Sequence, residues 1–302
     1  MILVTGVSGS LGGLIHAGLA ALPDLDVVTG TRSGDGSAAR RIDFDDPDSL
    51  AGGFSGIDVL VFISAGYAED DVVMARHSAV VDAATTAGVR HVVYTSLAHS
   101  GRHMTIAAPH RSTEALLRSA PFDVTVLRDG LYPEVPVGLG LAAAESVTDT
   151  GIFAAPLGAG RVSVVAKQDL ADIAVRIAGE SERDVAAGFR SRHAGKTYEL
   201  EGVTTVTGHD IAAALSELLD RPVTYRDRPL SEARASLRTI GLLPYQIANA
   251  MSLYANAKAD LLEARHSDLP LLLSTRPRPV EHLIAAAVRA GGYESRSISA
   301  RR

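Results

Sequence analysis

The first 22 residues, MILVTGVSGSLGGLIHAGLAAL, constrain this chain more than any other stretch. Residues 1–5 read as a buried strand. Gly6, Gly9 and Gly12 follow at regular spacing, and a small-residue, apolar helix pattern begins near Ser10 and Leu11. Strand, glycine turn and helix, in that order, are what a dinucleotide site needs. Gly6 lets the chain turn sharply off the strand. Gly9 leaves no Cβ in the way of a pyrophosphate, and Gly12 lets the helix pack close to the sheet. The helix start then offers free N–H groups and the positive end of a dipole to the phosphates.

The alternation continues. Residues 26–31 read as a second strand, ending at Arg32. Residues 40–44 form a short third strand that would bring Asp43 and Phe44 to the adenine edge. Asp45-Asp46-Pro47 looks like a helix start, with an acidic cap and proline in the first turn. Residues 58–64 (DVLVFIS) are a buried, β-branched strand. Its carboxyl end, Ser64-Ala65-Gly66, falls where an open α/β sheet places a ligand crevice, with Ile63, Ser64 and Ala65 expected at the cofactor. Residues 70–87 read as a helix ended by Gly88, 91–95 as a strand ending in Thr95-Ser96, 109–119 as a helix and 123–128 as a strand. This pattern predicts an α/β fold, a Rossmann-type doubly wound parallel sheet.

Beyond residue 130 the rhythm breaks. Residues 130–160 are rich in glycine, alanine and proline and show little periodicity. Strands are expected over 161–166, 197–200 and 222–225. Helices are expected over 168–178, 207–219 with Thr207 as cap, 230–239, 244–262 and 279–290. The expected organisation is an NAD(P)-binding domain over residues 1–130 and a smaller, helix-rich C-terminal substrate lobe over 131–292, with strands able to rejoin the sheet. A flexible tail over 293–302 completes it.

Thr29, Gly30 and Thr31 supply no acid for an adenosine ribose, and Arg32 suits a 2′-phosphate. NADP(H) is therefore the expected cofactor, with NAD(H) the second choice. The net charge of −6 leaves no basic footprint for nucleic acid. The absence of cysteine excludes a disulfide framework, a thiolate metal site and a cysteine nucleophile. His99 and His103 are four apart, but Gly101 between them argues against a helix and no carboxylate completes a site, so no metal is expected. No apolar run is long enough to span a bilayer, and no basic-then-apolar leader opens the chain. The expectation is a cytoplasmic protein, monomer or homodimer, with a small-molecule partner and no membrane or nucleic-acid partner.

Three stretches resemble the NmrA-like group of atypical short-chain dehydrogenases: VTGVSGSLG at 4–12, DFDDPDSL at 43–50 and GVRHVVYTSLAHS at 88–100. Part of the third of these and three further stretches are similar to the type 2 NAD(P)H:quinone oxidoreductases and triphenylmethane reductases within it. These are VYTSLAHS at 93–100, HRSTEALL at 110–117, LRDGLYPE at 127–134 and LPLLLSTRPRPVEHLI at 269–284. The resemblance implies a Rossmann-type domain with a small C-terminal lobe. It also implies an NADPH-dependent reductase of quinones or dyes, or a redox sensor without turnover.

Ordinary short-chain dehydrogenases carry Tyr-x-x-x-Lys on the helix after the strand ending in Thr-Ser. Here His110 stands at the tyrosine position and Glu114 at the lysine position. A Tyr-x-x-x-Lys does occur at Tyr254 and Lys258, too late in the chain. It reads as a helix-surface tyrosine and a solvated lysine. Glu114 reads as a structural or solvent-facing acid. Reduction of an ordinary ketone gives an alkoxide, which needs an acid beside it. Reduction of a quinone gives a delocalised anion that water or His110 could protonate. The expected activity is hydride transfer from NADPH to a quinone or similar conjugated acceptor. Thr95 and Ser96 would lie near the nicotinamide ribose or amide, and Leu97, Tyr132 and Pro133 would wall the acceptor. The alternative is a non-catalytic NADP(H)-binding sensor that regulates a partner protein.

Overall fold

A computed structural model describes residues 1–34, 39–64, 68–144 and 147–298, with side chains described to residue 290. Ala65 and Gly66, expected at the ligand crevice, lie outside the described residues, as do residues 299–302 of the expected tail.

The first half alternates as its apolar pattern requires. In order come β1 (Ile2–Val4), α1 (Ser10–Ala20), β2 (Val27–Thr31), β3 (Ala39–Arg41), α2 (Pro47–Gly53), β4 (Val59–Ile63) and α3 (Asp70–Ala87). Then follow β5 (His91–Leu97), a 3-10 helix (His99–His103), α4 (Ala107–Ser119) and β6 (Asp123–Asp129). Asp46 caps α2, with Pro47 in its first turn, and Gly88 ends α3 in the left-handed conformation at φ 74°. β3 stops short of Asp43 and Phe44. The Ser49 hydroxyl accepts from the Asp43 amide at 2.9 Å and sits 3.1 Å from its carbonyl, which turns the chain into α2.

The second half supplies α5 (Glu134–Ala143), α6 (Val147–Thr150), β7 (Ile152–Ala155), β8 (Val162–Val164), α7 (Lys167–Ala186), β9 (Thr197–Leu200) and β10 (Thr204–Val206). α8 (Gly208–Leu219), β11 (Thr224–Asp227), α9 (Leu230–Thr239), α10 (Pro244–Lys258), α11 (Leu269–Leu272) and α12 (Glu281–Ile298) complete it. The main sheet has the order β3-β2-β1-β4-β5-β6-β9, with every pairing parallel. Chain order reverses between β1 and β4, the switch point of a doubly wound sheet.

Three apolar cores hold the molecule. One lies between the sheet and α1 with α7, around Ile15, Val93, Leu127 and Ile177. A second lies on the other face, around Leu60, Phe62, Val80 and Leu117. The third fills the C-terminal lobe around Phe153, Ile211, Met251 and Tyr254. Residues past 130 thus complete the Rossmann layer itself through α7 and β9. β9 is a strand of the later half that rejoins the sheet.

Several elements depart from the sequence expectation. α5 lies in the stretch without periodicity. Its glycines hide it, and packing makes it: a Cβ on Gly140 would stand 2.9 Å from the Phe153 ring. α7 runs on through Gly179, which is buried against the Leu22 and Leu25 side chains. α12 continues through Gly291-Gly292 to Ile298, into the segment expected as a tail. Each glycine costs a helix interior only about 1 kcal/mol, and α12 is already fixed by packing on α5 and α8. Among the described residues no helix is long and apolar enough to cross a membrane.

Candidate functional site

Gly6, Gly9 and Ser10 are exposed at the carboxyl end of β1. Gly6 has φ +65°, and a Cβ on it would stand 3.0 Å from the Ile63 Cβ, so Ile63 backs the turn. A Cβ on Gly9 would meet only the Gly6 carbonyl, at 3.3 Å, with open space beyond. A Cβ on Gly12 would fall 2.3 Å from that carbonyl. Gly12 therefore lets the helix start close under the turn, with Leu11 buried beside it. No side chain caps α1, so the cradle and its backbone donors fit a pyrophosphate. Thr5 secures the strand ends: its hydroxyl accepts from the Ile63 amide at 3.0 Å and donates to the Val61 carbonyl at 3.3 Å. Arg32 is exposed just past β2. Asp43 lies in the loop after β3, where its carboxylate accepts from the Asp45 amide at 3.1 Å. Phe44 packs edge-on against Phe62 at 5.8 Å.

A polar network lies under the ends of β4 and β5. The Ser64 amide donates to the Thr95 hydroxyl at 3.2 Å. The Ser64 hydroxyl lies 3.5 Å from His77 Nε2. His77 is fully buried, with Nδ1 2.6 Å from the Thr113 hydroxyl. That hydroxyl donates to the Pro109 carbonyl at 2.8 Å, which assigns the proton to His77 Nδ1. Burial pushes His77 down to about 3. His110 does reach the interior here: its Nδ1 lies 3.0 Å from the Tyr94 hydroxyl. Burial likewise lowers His110 to about 4, against a small opposing effect of Glu114. His110 is therefore a neutral imidazole at pH 7.

Glu114 is no solvent-facing acid. It is 2% exposed and holds Arg128 in a fork, at 2.9 and 2.7 Å, while the Ser96 hydroxyl donates to it at 2.6 Å. Burial alone would raise its carboxyl, but the Arg128 and Ser96 hydrogen bonds hold it below the usual range. Arg128 also reaches Glu199 on β9 at 2.8 Å. The hydroxyls of Thr95 and Ser96 are thus committed to protein partners. Thr95 also donates to the Phe62 carbonyl, at 3.4 Å.

Leu97, at the end of β5, and Tyr132, just past β6, are half-buried, and Pro133 is buried at the start of α5. The Lys167 ammonium lies over the Tyr132 ring, 5.1 Å from its centre. Sequence reasoning missed Asp129, the last residue of β6, which is in register with Leu97. It is 7% exposed and its Oδ1 has no hydrogen-bond partner among the described residues. Of the late Tyr254 and Lys258, the lysine is exposed as expected and the tyrosine is not. Tyr254 is fully buried in the lobe core and donates to the Leu139 carbonyl at 2.6 Å, while Lys258 pairs with Asp227 at 2.6 Å. His99 and His103 sit on a 3-10 helix despite Gly101, and no three metal-ligating side chains cluster among the described residues.

Comparison with known proteins agrees with this geometry. Residues 6–181 match the family described as NAD(P)H-binding. Quinone oxidoreductase 2 of Escherichia coli (strain K12) is 30% identical over 80% of this chain and 82% of its own. An NAD(P)H azoreductase of Xenophilus azovorans is 28% identical over 97% and 99%. The structure of Citrobacter sp. triphenylmethane reductase complexed with NADP(H) superposes with a TM-score of 0.80 at 27% identity, covering 95% of this chain and 99% of that one. A glycine cradle at the switch point, an uncapped helix behind it and these likenesses converge: the chain belongs to the NAD(P)H-binding family, among its NmrA-like reductases.

Proposed function

We propose that this protein is an NADPH-dependent reductase that passes a hydride to a quinone or a similarly conjugated small molecule. The observation that carries the reading is the uncapped start of α1 behind an open glycine turn, at the one place where chain order in the sheet reverses. Bound NADPH supplies the hydride. Gly6, Gly9, Ser10, Leu11 and Gly12 hold the phosphates. Arg32 meets the 2′-phosphate, and Asp43 with Phe44 borders the adenine. Ile63, Ser64, Thr95 and Ser96 form the floor beneath the nicotinamide half, braced by His77, Thr113 and the Glu114–Arg128 pair. Leu97 and Tyr132 offer apolar surface to a flat acceptor, with Pro133 fixing the chain behind them. The named activities of the quinone and azo relatives concern conjugated acceptors, which supports this substrate class.

His110, held neutral, has no dissociable imidazolium proton to give at pH 7, so it is not an obligatory donor. The test is NADPH oxidation at fixed pH and saturating NADPH against quinones, azo dyes and aliphatic ketones. Quinones should turn over and unactivated ketones should not. His110→Ala should lower quinone turnover by less than about tenfold. Tyr132→Ala should chiefly raise KM by loosening the acceptor's stacking. Efficient turnover of a plain ketone would mean that a proton relay is present after all. Tight NADPH binding with no turnover of any acceptor would make the protein an NADP(H)-binding sensor instead.

A further inference from the structure

Asp129 closes β6, the strand next to β5 in the sheet. Side chains alternate along a strand, so Asp129 shares a face with Thr125 and Leu127. Leu127 belongs to the Rossmann core and Leu131 to the lobe core. Asp129 therefore stands at the seam between them, at the carboxyl end of the sheet. It is in register with Leu97 and three residues before Tyr132. Its main-chain carbonyl is occupied by the Ala98 amide at 3.0 Å, yet its carboxyl Oδ1 is buried with no partner among the described residues. A buried polar atom left unpaired is rare and costly.

The charged groups on the surrounding elements are engaged elsewhere. Arg128 on β6 is held by Glu114 and Glu199. Tyr94 on β5 meets His110 of α4. Glu201, just past β9, accepts from Ser100 at 2.7 and 2.8 Å, and Lys167 at the start of α7 pairs with Glu134 at 2.8 Å. Burial, with no compensating cation, pushes the Asp129 carboxyl well above the usual carboxylate range. A carboxyl kept in its neutral form can donate a proton where an ionised one cannot.

We propose that Asp129 is the acid that protonates the reduced acceptor, a role that rests on the reductase reading above. A quinone gains two electrons as a hydride from NADPH, which becomes NADP⁺, together with one proton. The Asp129 O–H bond breaks, an O–H bond forms on the acceptor oxygen, and the carboxylate left behind regains a proton from water before the next turnover. This places the donor on β6 rather than on α4, where short-chain dehydrogenases of the ordinary kind carry theirs.

The test combines Asp129→Asn, nearly equal in shape, with infrared difference spectroscopy of the wild-type protein in its NADP⁺ complex. The wild type should show a protonated carboxyl band near neutral pH that Asp129→Asn lacks. Quinone turnover in the wild type should fall at high pH with the loss of that band. Asp129→Asn should be at least tenfold slower at pH 7, should lose that pH limb, and should bind NADPH within about twofold of wild type. An ionised Asp129 at neutral pH overturns the proposal, as does an Asn variant with wild-type rate and pH profile. So does a variant whose main defect is weak NADPH binding, which would make Asp129 a cofactor anchor. If the wild type turns over no acceptor, the reductase reading fails first and the acid role falls with it. If it turns over and the Asn variant matches it, only this proposal fails.

Discussion

Arg32 stands one residue past β2, beside the loop that carries Asp43 to Asp45. Arg76 grips Asp45 in a fork at 2.8 and 2.6 Å, and Arg32 adds to the field that holds that carboxyl below its usual range. With Arg76 held by Asp45, Arg32 is the charge that would meet a 2′-phosphate brought to this corner. NADPH should therefore bind more tightly than NADH. Arg32→Ala should cost about 1.5–3 kcal/mol of NADPH binding, the worth of a charge-assisted hydrogen bond, and leave NADH unchanged. Titration of both cofactors against both proteins checks this, and an unchanged ratio removes Arg32 from the site. The glycine turn between β1 and α1 was legible because it depends on local chain order. The partners of Glu114 were not, because Ser96 and Arg128 come from two other elements, β5 and β6. Asp129 escaped for the same reason: its isolation exists only once the lobe has closed over the end of β6.

At the scale of elements, the α1 turn separates two functions of glycine. Gly9→Val fills open space in front of the turn, so the protein should fold and lose NADPH affinity by at least tenfold. Gly12→Ala collides with the Gly6 carbonyl at 2.3 Å, so it should lower Tm even without cofactor. Melting curves and NADPH titrations on both variants distinguish the two effects. A folded Gly9→Val protein with wild-type affinity would mean that this turn does not hold the phosphates. The strands and helices up to β6 were legible because the switch between periods of 2 and 3.6 is a local signal. α5 was not, because EVPVGLGLAA is a poor helix former that tertiary burial of Val137 and Gly140 makes helical. Thr207 was legible as a cap, and it forms a reciprocal box with Asp210, at 2.8 and 3.3 Å.

For the whole molecule, the buried histidines tie stability to pH. His77 and His91 are fully buried, and burial lowers them from 6.5 to about 3 and about 4. The unfolded chain protonates these rings near 6.5 and the folded chain does not. Their contribution is therefore complete above about pH 6.5 and is lost as pH falls toward the folded values. Each tenfold loss of proton affinity on folding corresponds to about 1.4 kcal/mol, so one such ring is worth a few kcal/mol by the bottom of the window. Tm should drop between pH 7 and pH 5, and His77→Gln should flatten the drop. The comparison isolates His77 from groups that titrate in the opposite sense, Asp129 among them. Equal slopes for the two proteins would show that His77 is not held neutral. The order of the strands also has a consequence for how the chain is made. β9 covers the flank of β6 from Val126 to Asp129, yet 67 residues separate the end of β6 from the start of β9. A nascent chain that has just emerged through β6 already holds the whole glycine turn and α1. It also carries an apolar strand with one row of amides and carbonyls unpaired, an open template for a neighbouring chain. The lobe must fold, or at least be threaded past, before that flank is sealed. Synthesis of this protein thus has a vulnerable interval, and its length is set by the lobe.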